Sequence, residues 1–241
     1  MFKRIAIFAI VIVAGLSISF TPPRPKVLLM TKTNGFYHSS IPKGIETIQK
    51  LGAENGFEVV ATKDSALFNA SNLKQYAAII FLNTTGTLFN EDQKAAIQQY
   101  IHNGGGFVGI HAATDTEYGW PWYNKMIGAW FDSHPKQQEA KLLVKDKKHP
   151  ATRHLPSVWE RKDEWYNFKN INPDINILIA IDESSYEGGK NGKVHPMSWY
   201  HSFEGGRVFY TGLGHTDASY DEPLFLKHLL GGIKYAMGSK R

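Results

Sequence analysis

The chain has 241 residues, 42% of them hydrophobic and 20% charged, which is enough apolar material for one full core. It contains no cysteine, so thiol nucleophiles, thiolate metal sites and disulfides are excluded, and any catalysis must rest on His, carboxylate, hydroxyl, Lys or a metal held by N and O ligands. The formal charge is +5, of which Lys3 and Arg4 supply two, and the remaining basic residues are scattered, which argues against a nucleic-acid partner.

Lys3 and Arg4 precede the apolar run 5–16, which is short for a bilayer span and has the layout of a secretory signal over residues 1–20, with Ser17 and Ser19 small enough to precede a cleavage point. Thr21-Pro22-Pro23-Arg24-Pro25 then makes a stiff, non-helical spacer over 21–25 ahead of a single domain over 26–240. The expectation is an exported protein, periplasmic or cell-surface, that touches a membrane only if its signal stays uncleaved.

Residues 26–32 form a strand-length apolar run, followed by a loop ending in Tyr37-His38 and by a helix from about Ser40, with Pro42 in its first turn. Ile45, Ile48 and Leu51 supply the helical stripe, Gly52 or Gly56 stops it, and 57–61 makes a second strand. Residues 76–82 are a third, near-continuous apolar strand with Asn83-Thr84-Thr85-Gly86 at its end; Asn90 caps a helix over 91–102. Gly104-Gly105-Gly106 stops that helix, 107–110 is a buried strand, and His111 stands at its carboxyl end.

Beyond Asp115 the texture changes. Trp120, Trp122, Tyr123, Trp130 and Phe131 crowd together, and strand-like runs follow at 140–144, 159–168, 175–181 and 197–202 without intervening helices. A last central strand at 207–211 runs into Gly212-Leu213-Gly214-His215, and a helix over 223–237 closes the domain. The expected fold is α/β: a doubly wound, mostly parallel sheet flanked by helices, with an added β-rich segment in the second half.

If the strands at 26–32, 76–82, 106–110 and 207–211 are parallel neighbours, their loops meet in one crevice at the carboxyl edge. Those loops carry His38, Asn83, His111 with Asp115, and His215 with Asp217. Imidazole titrates near neutrality, so His111 and His215 are the candidate acid–base pair, supported by Glu164 or Asp217. Adjacent side chains on a strand face opposite ways, so only one of Asp163 and Glu164 can reach the crevice. Tyr37, His38, Asn83, Asp115, Trp120, His134 and Trp199 are the candidate substrate contacts, the aromatic ones as walls for a sugar ring. His149 and His195, each before a proline, read as backbone punctuation. No tight metal-ligand spacing such as HExxH occurs, so no cofactor is indicated, and a metal site would have to be assembled from distant loops.

Several segments together resemble the ThuA-like (trehalose utilisation) family, whose fold is that of class I glutamine amidotransferases, a flavodoxin-like arrangement. They are Gly35-Phe36-Tyr37-His38, the run from Gly104 to His111, Trp130 to His134, Asp163-Glu164-Trp165-Tyr166, Pro196-Met197-Ser198-Trp199, and the run from Gly206 to His215. The resemblance puts His111 where the amidotransferases carry a cysteine nucleophile and His215 where they carry the triad histidine. Imidazole cannot form their thioester, so it implies the architecture without the glutaminase activity. It also implies a role in carbohydrate utilisation, on a sugar, glycoside or keto-sugar. Three readings follow: an acid–base enzyme acting on a small carbohydrate, a non-catalytic carbohydrate-binding domain with a degenerate amidotransferase site, and a metal-dependent hydrolase.

Overall fold

A computed structural model describes residues 24–238; the expected export signal and the first part of the proline spacer lie outside them. The first half alternates strand and helix: β1 (Lys26–Met30), α1 (Ile41–Asn55), β2 (Glu58–Thr62), the short α2 (Ala70–Leu73), β3 (Tyr76–Leu82), α3 (Glu91–His102) and β4 (Gly106–Ile110). The second half adds α4 (Pro121–Ile127), β5 (Trp130–Ser133), β6 (Gln138–Val144), β7 (Val158–Asp163), β8 (Asn167–Lys169), β9 (Asn176–Ile181), β10 (His195–Phe203), β11 (Gly206–Thr211) and α5 (Pro223–Ala236).

Nine strands form one sheet in the order β2-β1-β3-β4-β11-β10-β9-β6-β7. From β2 to β11 every neighbour is parallel. From β11 onward every neighbour is antiparallel, so the β-rich segment extends the same sheet instead of building a second domain. Buried strands on the parallel side read as unbroken apolar runs because helices cover both faces: β3 places Ala78 to Leu82 inside, and all of β4 is buried. Strand β7 instead alternates, with Trp159, Arg161 and Asp163 inward.

Local signals explain the helix ends. Asn90 and Gln93 form a reciprocal capping box at the start of α3, and Gly56 takes a left-handed conformation (φ 79°) to close α1. Helix α4 was not expected: Pro121 opens it and Gly128 (φ 103°) closes it, turning part of the aromatic segment into a helix. The expected strand 159–168 is instead two strands in different sheets, because the chain leaves the main sheet at Glu164 and pairs again only as β8 with β5. Among the described residues, no helix is long and apolar enough to cross a membrane.

Candidate functional site

Because β1, β3, β4 and β11 are contiguous and parallel, the loops after them leave the same edge of the sheet. Strand β4 ends in a 3₁₀ turn whose first residue, His111, is fully buried and has φ 47°, in the left-handed region that non-glycine residues seldom occupy. Such backbone strain concentrates at functional positions. Asn83, at the end of β3, has φ 50° and is also fully buried.

The turn aims the His111 ring at the loop after β11. His111 Nδ1 donates to the carbonyl oxygen of Gly212 at 2.8 Å. A carbonyl only accepts, so Nδ1 carries the proton and Nε2 faces the crevice. There Nε2 lies 3.0 Å from His215 Nδ1 and 3.5 Å from Glu164 Oε2, and His215 Nδ1 is 3.1 Å from the same oxygen. His134 Nδ1 approaches the other oxygen, Oε1, at 3.3 Å. His38 completes the group, its ring edge-on to those of His111 and His215 with centroids 5.0 and 5.1 Å away. One ligand atom from each of His38, His111, Glu164 and His215 lies within 4.8 Å of the others.

Glu164 and Asp163 divide their work. Burial would raise the Glu164 pKa, but the neighbouring imidazoles of His111 and His215 outweigh it and hold the carboxyl well below its usual range. Asp163 is fully buried and turns the other way: its oxygens accept from the backbone N–H groups of Gly214 and His215 at 3.0 and 3.2 Å, and Arg161 pairs with it at 3.2 Å. It therefore positions the loop that carries His215. Burial, reinforced by the neighbouring imidazoles of His111 and His215, lowers the His38 pKa to about 3, so this ring stays neutral at ordinary pH.

The mouth of the cluster is aromatic. Phe36 and Tyr37 are 65% and 50% exposed, and the Phe36 ring meets that of His38 edge-on at 4.8 Å. Tyr166 covers His111 at a centroid distance of 4.2 Å, and its own ring packs on Phe131. Phe36 and Tyr166 stood inside the motifs of the sequence without being singled out for the site, and Asp163 entered only as the alternative to Glu164. The signal for Phe36 was an aromatic pair in a polar loop just before a histidine.

Other expected residues stand elsewhere. Trp199 is not a pocket wall: it is fully buried, stacks on Tyr210 at 4.2 Å and donates its indole N–H to the Ile127 carbonyl at 2.8 Å. Trp120 is likewise packing, 8% exposed and stacked on Trp122 and Tyr123 beneath the Lys94 ammonium. Asp217 is exposed and outside the cluster, because Thr216 caps the following 3₁₀ turn and carries it outward. Asn83 ties loops together, donating to Ser40 Oγ at 3.1 Å and to the Gly214 carbonyl at 3.5 Å. Asp115 sits in the turn after His111, where burial raises its pKa and the hydroxyl of Tyr118, donating at 2.7 Å, opposes the rise. His195 is a buried structural residue held by Glu183 and the Tyr166 carbonyl.

Solved structures share this architecture. A ThuA-like protein from Bacteroides uniformis superposes with a TM-score of 0.78 at 24% identity, covering 94% of this chain and 97% of that one. Another from Parabacteroides merdae gives 0.74 at 23% identity, covering 90% and 92%. The β-galactosidase from Bacillus circulans sp. alkalophilus contains a similar fold within a longer chain, with TM-score 0.60 and 12% identity over 90% of this chain and 31% of that one. No curated protein matches the sequence. The sequence matches the family described as trehalose utilisation over residues 26–236. The chain therefore belongs to the ThuA family, which ties it to a carbohydrate-related role.

Proposed function

We propose that this protein is an exported enzyme that moves a proton on a bound sugar, glycoside or keto-sugar at the His111–Glu164–His215 centre. The observation that carries the reading is a single carboxylate bridging inward and outward imidazoles: Glu164 Oε2 meets His111 and His215, and Oε1 meets His134, whose side chain is 43% exposed. Imidazoles linked through a carboxylate can relay a proton between a buried centre and its mouth. Phe36 and Tyr37 offer exposed aromatic faces beside that mouth, the surface on which the apolar side of a sugar ring stacks.

The test is product analysis of the purified protein incubated with disaccharides and their 3-keto forms. Turnover is expected, and His111→Asn should reduce it by at least ~100-fold, the scale of an acid–base contribution. Asparagine tolerates the left-handed backbone at this position, so loss of turnover reports chemistry and not collapse of the turn. Saturable sugar binding without product from any substrate would replace this reading with a non-catalytic binding domain.

A further inference from the structure

We propose that His38, His111, His215 and Glu164 form a binding site for one divalent first-row transition-metal ion. The inference rests on the reading above only in sharing its centre; donor geometry carries it independently.

His111 Nε2, His215 Nδ1 and Glu164 Oε2 lie 3.0, 3.1 and 3.5 Å apart. Since His111 Nδ1–H is committed to Gly212, the Nε2 atom presents a lone pair to a second imidazole nitrogen and to a carboxylate oxygen. Electron-rich atoms at these separations repel unless a proton or a cation lies among them. A proton on His215 Nδ1 can be shared between His111 Nε2 and Glu164 Oε2, and it leaves the third pair, 3.5 Å apart, unbridged. A metal ion satisfies all three: ligands about 2.0–2.1 Å from a tetrahedral zinc ion stand roughly 3.3 Å from one another, close to the separations of these three atoms, with the His38 atom inside 4.8 Å of them.

His38 supplies the independent observation. It is 3% exposed, its Nδ1 is buried without a hydrogen-bond partner among the described residues, and its ring meets both of the other imidazoles edge-on. Its ligand atom falls within the same 4.8 Å set as the other three. A buried polar ring with an unpaired nitrogen is costly unless something occupies the space it faces.

The supporting contacts are those of a ligand set. The Gly212 carbonyl fixes the His111 ring by its far nitrogen, and Asp163 anchors the backbone of His215, the outer-layer arrangement that orients metal-binding histidines. Three imidazoles and one carboxylate suit Zn²⁺, Co²⁺, Fe²⁺ or Mn²⁺ better than Mg²⁺ or Ca²⁺, which favour oxygen.

The experiment uses the chelator-stripped protein titrated with Co²⁺ and with Zn²⁺, followed by calorimetry, visible absorption of the cobalt form and the thermal midpoint. One equivalent should bind, with cobalt ligand-field bands and a raised midpoint. His38→Ala and Glu164→Gln should each weaken binding by at least ~100-fold, with circular dichroism confirming that both variants fold, and His102→Ala on the surface should bind as the parent does. No uptake above that of a double His38→Ala, Glu164→Gln variant, or uptake unchanged in both single variants, overturns the site. Sugar turnover by fully metal-free protein would also overturn a metal requirement while leaving the proposed function standing; stoichiometric metal binding without turnover of any sugar would do the reverse.

Discussion

His228 shows how a histidine away from the site constrains the molecule. It is fully buried on α5, donates from Nδ1 to the Ala151 carbonyl at 2.8 Å and meets Thr211 Oγ1 at 3.2 Å, and burial lowers its pKa to about 3. Between pH 6.5 and about 3 the unfolded chain takes up a proton that the native ring refuses, so its contribution to stability is whole above 6.5 and is lost as pH falls. The urea midpoint should therefore drop on acidification from pH 7 to 4, and His228→Gln should remove up to ~1.4 kcal/mol per pH unit of that slope. A slope identical in the variant would place the acid sensitivity elsewhere. The meeting of His111, His215 and His38 was readable because each follows a parallel strand, a position with a fixed address. Trp120 and Trp199 carried no such address: the residue type suits a sugar wall and a core equally, and only packing decides.

Glycine at the start of β4 sets how closely α5 can approach the sheet. A methyl group at Gly106 would land 2.2 Å from the carbonyl oxygen of Ala236, a backbone atom in the last turn of that helix, which also receives the Arg207 Nε–H at 3.1 Å. Gly106→Ala should cost about 1–3 kcal/mol by overpacking, read as a lowered urea midpoint with an unchanged slope; an unchanged midpoint would mean that α5 moves aside freely. Elements with strong local rhythm were legible, from β1 to β4 and again at β11 and α5. Helix α4 was hidden, although its Pro121 and Gly128 are ordinary start and stop signals, because its 7 residues are too few to show a helical period. The break between β7 and β8 was hidden because Trp159 to Phe168 holds no glycine or proline to mark a turn, while the turn at Glu164 is dictated by the partners that Asp163 and Glu164 find far along the chain.

The whole molecule joins its two halves through β11, which pairs in parallel with β4 and antiparallel with β10, and one continuous apolar core runs from Val27 to Ala236. All six tryptophans lie between positions 120 and 199, whereas the three longest helices, α1, α3 and α5, pack on the parallel strands. Tryptophan emission and far-ultraviolet circular dichroism thus watch different regions, and a shared core predicts coincident unfolding curves. Separated midpoints would show that the antiparallel half unfolds by itself. The rhythm of strand and helix made the parallel half legible at this scale. The order β10-β9-β6-β7 was not, since antiparallel pairing among distant strands leaves no mark on local sequence.

The left-handed backbone at position 111 is a property of the strand-to-turn junction and not of the ring it carries. A junction of this kind works as a socket: the scaffold spends its strain once, on presenting whatever side chain is inserted. A change of side chain at this one position can then alter reactivity while strands, helices and partner loops stay in place, which makes shape a poor guide to chemistry.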